Sequence, residues 1–252
     1  MITGLCCTHG RYRCLQRALR CFLDQEFDEV HAMFICNTGA PLKLPDDFVL
    51  PDNKKIYIDN AGMMKFSSVG EKYNHALKMM MRVFTDTTWV FSEDDDDIFL
   101  PNHLKEGRKG ITKAMENSKC AYKPYYSFFR TRDENGKVTY GPIHNNLEPS
   151  IFVNASYLAD RGFANVSVRY HQQWLEPLQS NNWILVDKEA MATLIYNWGD
   201  NGGDDSWGIY KMSGTGDDSS ANFLSHRNHS RDMGNGILVP AEDNSGYYKM
   251  IQ

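Results

Sequence analysis

The chain has 252 residues, a formal net charge of -5 at pH 7, 42% hydrophobic residues and 12% aromatic residues. This composition is that of a globular protein and excludes a disordered chain, and the modest negative charge excludes a general attraction to nucleic acid. No apolar run approaches the roughly 18 residues that a membrane span requires. The first residues carry no basic region of the kind that opens a signal peptide, so we expect a cytoplasmic protein.

The first half of the chain alternates strands with amphipathic helices. Strands are predicted over residues 2–7, 30–36, 55–58 and 88–92, and helices after the turn at 8–11, over 69–84 and over 101–117. Pro101 is expected in the first helical turn, where no N–H is needed. Such an alternation predicts an α/β fold with a mostly parallel sheet flanked by helices.

The second half is less regular. Residues 121–131 and 138–140 are β-prone around a turn at 133–137, residues 151–153 and 183–186 read as strands, and 156–161 and 172–178 as helices. From residue 197 the chain is rich in Gly, Asp, Asn and Ser. We therefore predict one domain, with a first half at 1–117, a second half at 118–196 and a mobile, irregular C-terminal lid at 197–252.

The six cysteines do not suggest a metal or disulfide framework. Four of them lie between Cys6 and Cys21, and no C-x-x-C pair occurs. Such spacing suits neither a zinc ribbon nor a set of disulfides. Reduced thiols are the expectation.

Five consecutive acids at residues 93–97 are the strongest chemical signal in the chain. They follow the apolar strand at 88–92 and precede the apolar run at 98–100, so they are expected at the carboxyl end of a strand, where open α/β sheets bind ligands. Five adjacent negative charges repel one another, and a hard divalent cation reverses that cost because Mg²⁺ and Mn²⁺ prefer carboxylate oxygen. The acids therefore predict a metal site rather than a solvated turn.

Several segments together resemble the GT-A-type nucleotide-sugar glycosyltransferases of the family 2 kind. The segments THGR at 8–11, RALRCFLDQ at 17–25, VGEKYNHAL at 69–77, DDDDIFLPNHL at 94–104 and FVNASYLADRGF at 152–163 match its opening turn and helix, its second helix, its D-x-D segment and a later strand and helix. The opening is also similar to glycosyltransferases of tailed phages. The resemblance covers residues 1 to about 163 and implies a GT-A-like fold, a hexosyl- or pentosyltransferase activity, a UDP-sugar donor and Mn²⁺ or Mg²⁺.

The resemblance also implies roles for individual residues. Asp96 would bind the metal, Asp94 would bind the metal, the donor ribose or a metal-bound water, and Asp97 would orient the site. Asp95 either contacts the donor or faces away. The remaining donor-binding candidates are Thr8, His9, Gly10, Arg11, Asn37, Thr38, Gly70, Lys72 and Asn74. In the tail, His226 would reach the metal, and Arg227 and Arg231 the diphosphate.

The chain departs from the family pattern at the general base. The family's acidic segment corresponds here to residues 170–178, where His171 could act because imidazole titrates near neutrality. Glu176 is the nearest carboxylate, and a retaining enzyme would need no base. A non-catalytic nucleotide-sugar-binding module is the competing class of protein.

The acceptor is predicted from one segment. Residues 119–132 interleave aromatic and basic side chains, including Lys123, Arg130 and Arg132, a pattern that suits nucleic acid, sugar stacking or a half-buried strand. With the phage-like opening, it makes a hydroxymethylated pyrimidine of phage DNA one candidate acceptor, reached by base flipping. A surface polysaccharide or lipopolysaccharide glycan is the other.

Overall fold

The computed structural model describes residues 1–8, 11–132, 138–144, 148–166, 169–196 and 236–243. The strands are β1 (Ile2–Thr8), β2 (His31–Asn37), β3 (Lys54–Asn60), β4 (Trp89–Ser92), β5 (Ile98–Phe99), β6 (Ala121–Pro124), β7 (Tyr126–Arg132), β8 (Val138–His144), β9 (Phe152–Asn154), β10 (Ile184–Asp187) and β11 (Leu194–Tyr196). The helices are α1 (Tyr12–Leu23), α2 (Val69–Val83), α3 (His103–Glu116), α4 (Ala155–Arg161) and α5 (Gln172–Ser180).

The predicted α/β fold with a mostly parallel sheet is confirmed. A seven-stranded sheet has the order β10-β6-β9-β4-β1-β2-β3, and only β9 runs antiparallel to its neighbours β4 and β6. Nearly every residue of β1 and β2 is buried, since helices cover parallel strands on both faces. Because β4, β1 and β2 are adjacent and parallel, their carboxyl ends lie at the same edge of the sheet.

The helices pack where their apolar periodicity predicts. Leu15, Ala18 and Leu19 of α1 are fully buried on one face of the sheet, and Ala76 and Met80 of α2 are fully buried on the other. The Ser68 hydroxyl caps α2 by accepting a hydrogen bond from the Glu71 N–H at 3.0 Å. None of the described helices is long and apolar enough to cross a membrane.

The start of α3 differs from the prediction. The helix begins at His103, two residues after Pro101, because residues 98–99 form β5 instead of leading directly into the helix. The Gln25 side chain forms hydrogen bonds with the backbone on both sides of this helix start. Its amide nitrogen donates to the Leu100 carbonyl at 2.9 Å, and its amide oxygen accepts from the Leu104 N–H at 3.0 Å.

A second, four-stranded sheet of order β5-β11-β7-β8 was not predicted from the sequence. The β-prone segment at 121–131 divides between the two sheets, with β6 in the large sheet and β7 in the small one. Helix α3 crosses β6 at Gly110, where a Cβ would overlap the Tyr122 ring. Because β5 follows the acidic segment and pairs with β11, the small sheet connects the acidic segment to the second half of the chain.

Candidate functional site

The acidic segment lies where it was predicted, directly after β4 at the carboxyl edge of the large sheet. Its side chains alternate in burial: Glu93, Asp95 and Asp97 are buried, whereas Asp94 and Asp96 are partly exposed. The two acids expected to bind metal are therefore the two that solvent reaches.

Asp94 is held by two hydroxyl groups. The Ser92 hydroxyl and the Tyr73 phenol both donate to Asp94 Oδ1, at 2.9 Å and 2.8 Å. Burial and, to a smaller extent, the nearby Asp96 charge raise the pKa of Asp94 to about 6, a net value in which the two hydroxyl donors offset part of the increase. Two neutral hydroxyl groups thus orient the Asp94 carboxylate.

Asp95 does not face away from the site. It is fully buried, and its Oδ2 accepts from the Thr8 hydroxyl at 2.5 Å and from Arg11 Nε at 3.2 Å, while Arg11 Nη2 donates to its other oxygen. Burial raises the pKa of Asp95, and the Arg11 guanidinium offsets part of that effect. Asp95 therefore anchors the turn after β1 to the acidic segment and does not present an oxygen to solvent.

Arg11 also contacts Asp96. Its Nη1 donates to Asp96 Oδ2 at 2.8 Å, and Arg17 Nη2 donates to the Asp96 carbonyl at 3.2 Å. Burial opposes the Arg11 charge, but Asp95 and Asp96 outweigh it and hold the pKa of Arg11 above its usual value. Arg11 was expected in a base and ribose pocket; the structure shows it bridging two acids.

The carboxylate oxygens of Asp94 and Asp96 are suitable ligands for a hard divalent cation. Asp94 and Asp96 bring carboxylate oxygens to one partly exposed place, and the charge of Asp96 disfavours ionisation of Asp94. A divalent cation between them would relieve that repulsion, and oxygen ligands suit Mg²⁺ and Mn²⁺. Asp94 and Asp96 are thus the residues that could hold such an ion.

Glu93 is a buried carboxyl that sequence reasoning did not single out. Its side chain lies against Gly4, where a Cβ would overlap Glu93 Oε2, and that oxygen has no hydrogen-bond partner among the described residues. Burial raises the pKa of Glu93 to about 8. Glu93 is therefore a neutral acid in the fold at pH 7 and not an additional charge in the site.

Glu93 is expected to make the fold less stable as pH rises. The pKa of Glu93 in the folded protein lies above its unfolded value of 4.5. The stability that the neutral carboxyl contributes is therefore fully present below pH 4.5 and is lost as pH rises through about 8. Glu93→Gln copies the neutral acid and should raise the unfolding free energy by about 4 kcal/mol at about pH 8, and little at about pH 4. Urea unfolding of metal-free protein measures this. Glu116→Gln, at an exposed acid, is the control, and an unchanged pH dependence in Glu93→Gln would contradict the assignment.

The donor-binding candidates at the start of α2, namely Gly70, Lys72 and Asn74, contact other parts of the fold. Lys72 is 5% exposed and donates to the Thr8 carbonyl at 2.6 Å, so it holds the end of β1 and does not reach towards a solvent-side phosphate. Asn74 exchanges hydrogen bonds with the Phe163 backbone at 2.7 and 2.8 Å. A Cβ at Gly70 would overlap the Ala164 carbonyl. Gly70 and Asn74 therefore bind the chain after α4 against α2, which differs from the donor-binding role implied by the resemblance.

The ends of β1 and β2 form the rest of the edge. Asn37 is buried, donates to the Ala40 carbonyl at 2.7 Å and accepts from the Gly39 N–H at 2.9 Å, which shapes the turn after β2. The Thr38 hydroxyl donates to the Thr8 carbonyl at 3.2 Å. These contacts hold Thr8 and Thr38 side by side beside the acids.

The two candidate bases lie in and beside α5. His171 precedes the helix, and its ring centroid lies 5.5 Å from that of Tyr170, which stacks on Tyr73 at 4.8 Å. Because Tyr73 donates to Asp94, this aromatic stack connects His171 to the acidic site. Glu176 lies on the exposed face of α5.

The expected acceptor and tail residues are placed only in part. Lys123 of β6 is 7% exposed, which is not the placement expected of a cation that binds phosphate. Arg130 and Arg132 belong to β7, and their side chains lie outside the described part of the structure. Several other candidates lie outside the described residues, namely His9, Gly10, His226, Arg227, Arg231 and residues 197–235 and 244–252 of the predicted lid. The described lid residues, 236–243, pack against the domain: Ile237 pairs with Lys43, and Leu238 is fully buried.

Comparison with solved structures identifies the architecture. The S. aureus TarS 1–349 structure in complex with UDP-GlcNAc matches with a TM-score of 0.53 and 13% identity, covering 77% of this chain and 57% of that chain. The fold is GT-A-like. A second S. aureus TarS structure matches with a TM-score of 0.50 and 14% identity, covering 79% of this chain and 37% of that chain. This chain thus spans less than two thirds of the length of either neighbour. No protein-family model and no curated protein matches the sequence.

Proposed function

We propose that this protein is a metal-dependent glycosyltransferase that moves a sugar from a nucleotide donor, a UDP-sugar, to an acceptor hydroxyl. The observation that carries the proposal is the partly exposed pair Asp94 and Asp96 at the carboxyl edge of a GT-A-like sheet. Open α/β sheets bind their ligands at this edge. The structurally similar S. aureus TarS, which was solved in complex with UDP-GlcNAc, supports the choice of donor class.

The proposed cofactor is Mn²⁺ or Mg²⁺, held by Asp94 and Asp96. When bound, such an ion supplies electrostatic stabilisation to the oxygens of a leaving nucleoside diphosphate. The protein contributes orientation: Tyr73 and Ser92 hold Asp94, and Arg11 holds Asp96. Thr8 is buried and its hydroxyl binds Asp95, so Thr38, beside it at the strand ends, is the residue that we propose to contact the nucleoside.

His171 is the proposed general base of an inverting reaction. It precedes α5 next to Tyr170, whose ring stacks on the Tyr73 that binds Asp94. The imidazole could accept a proton from an acceptor hydroxyl near neutral pH. Glu176, on the exposed face of α5, is the alternative base.

We propose two classes of acceptor for the transferred sugar. Hydroxymethylated pyrimidine in DNA was suggested by the basic and aromatic segment at 119–132, and the burial of Lys123 weakens that argument because a phosphate contact needs an accessible cation. A glycan hydroxyl requires no such cation. We propose the glycan class first and the DNA base second.

Purified protein incubated with a panel of UDP-sugars tests the function. We expect release of UDP with one or a few donors, stimulation by either hydroxymethylcytosine DNA or a glycan acceptor, loss in EDTA and recovery with Mn²⁺ or Mg²⁺. Binding of a UDP-sugar with no UDP release under any condition would instead identify a non-catalytic binding module. Undiminished release in EDTA would refute the metal requirement.

A further inference from the structure

A row of metal-ligating side chains crosses the first three strands of the large sheet. Parallel registration pairs Cys7 of β1 with Cys36 of β2, and Cys36 with Asp59 of β3. Helix α2 covers this row and brings His75 over it. The strand register and the helix packing together therefore place two thiols, a carboxylate and an imidazole in one cluster.

Three members of the cluster, Cys36, Asp59 and His75, are close enough to share one ion. The Cys36 sulfur, an Asp59 carboxylate oxygen and a His75 ring nitrogen lie within 4.8 Å of one another. His75 Nε2 and Asp59 Oδ2 are 2.8 Å apart, and Cys7 donates its S–H to the Cys36 sulfur. The Phe66 ring lies 5.4 Å from the His75 ring and keeps Nε2 directed at the cluster.

The metal-ligating atoms of this cluster differ in kind from the carboxylate oxygens of Asp94 and Asp96. Thiolate, imidazole and carboxylate are the ligands of tetrahedral zinc sites, with bonds of about 2.0–2.3 Å. Those bonds place ligand atoms about 3.3–3.8 Å apart, so an ion would separate His75 Nε2 from Asp59 Oδ2, now 2.8 Å apart, and replace their hydrogen bond with bonds to the metal. Asp59 and His75 are each about one-fifth exposed, with side-chain values of 18% and 19%, which leaves a path for entry.

The charge of such a site would be compensated. Two thiolates and one carboxylate around Zn²⁺ leave one negative charge, and the buried Lys72 ammonium acts electrostatically on both cysteines. Lys72 is already fixed by the Thr8 carbonyl at 2.6 Å, so it stays beside the cluster.

We propose that Cys7, Cys36, Asp59 and His75 form a binding site for a thiophilic divalent ion, Zn²⁺, separate from the acidic site. The ion would tie β1, β2 and β3 to α2 and hold rigid the strand ends that carry Thr8 and Thr38. The inference rests on this cluster alone and is independent of the proposed transferase function.

Cobalt substitution tests the site. Metal-free protein kept reduced should develop a thiolate-to-Co²⁺ charge-transfer band in the near ultraviolet when titrated with Co²⁺, and Zn²⁺ should abolish the band at one equivalent per chain. Cys36→Ser should weaken the band, and Cys7→Ser combined with Cys36→Ser should remove it. His75→Ala changes only a partly exposed side chain, and it should weaken Co²⁺ binding by more than the roughly 10–100-fold that losing an outer-shell partner costs.

Two controls separate this site from other sources of metal binding. Asp96→Asn should keep the band, because the acidic site offers only oxygen ligands, and Cys120→Ser should keep it because that thiol lies outside the cluster. Absence of the band in the reduced wild type, or its persistence when Cys7→Ser and Cys36→Ser are combined, would overturn the proposal.

Discussion

Asp96→Asn is expected to lower metal-dependent UDP release by at least about 100-fold, the range seen when a group that stabilises developing charge is removed. The substitution keeps the size of the side chain and removes a ligand charge from the more solvent-accessible end of the acidic segment, where the side chain is 23% exposed. Arg11 would keep Asp95 as a partner, so the fold should be retained. Initial rates at saturating donor with Mn²⁺ and Mg²⁺ measure the effect.

Asp46→Asn is the matched control for this experiment. Asp46 is an exposed acid that pairs with Lys43 at 2.8 Å on the surface, far in sequence from the acidic segment, and exposed pairs of this kind contribute little to stability. Its activity should equal that of the wild type. Activity within a fewfold of wild type in Asp96→Asn, with normal thermal unfolding, would remove Asp96 from the metal site.

Asp95→Asn is expected to destabilise the protein by about 3 kcal/mol, because breaking a buried ion pair from one side leaves its partner's charge uncompensated. Asp95 is completely buried and Arg11 is 15% exposed, so solvent can replace little of the lost interaction. From the sequence Asp95 was a candidate to contact the donor or to face away, whereas its contacts with Thr8 and Arg11 place it inside the fold. Urea unfolding in the absence of metal measures the change.

A double-mutant cycle distinguishes the ion pair from simple loss of packing. Arg11→Met should also be destabilising, because it leaves Asp95 buried and charged. Arg11→Met combined with Asp95→Asn should cost less than the sum of the two single variants, since neither partner then keeps an unpaired buried charge. Additive losses would show that Arg11 and Asp95 act independently and would contradict the bridge as a stabilising unit.

Local sequence was sufficient for most of the secondary structure and for the position of the acids. Apolar alternation and helical spacing predicted β1 to β4, α1 and α2 to within a few residues, because a strand or helix buries one face according to its own periodicity. An acidic run directly after a buried strand had to lie at the carboxyl edge of a parallel sheet. The mostly parallel α/β sheet followed from the order of these elements, the GT-A-like fold was implied by the resemblance, and both are confirmed by the structure.

The orientation and partners of individual side chains were decided only by the tertiary structure. Arg11 meets Asp95 across 84 positions in sequence, and Lys72 meets the Thr8 carbonyl across 64, so no local pattern distinguishes either cation from one that awaits a phosphate. The row of Cys7, Cys36 and Asp59 likewise depends on the register of three strands that are far apart in the chain. The sequence alone determined which elements form and where the acids lie, because these depend on neighbouring residues. Strand registration and helix packing decided which charges pair and which reach solvent, because these depend on distances between segments that the chain order does not specify.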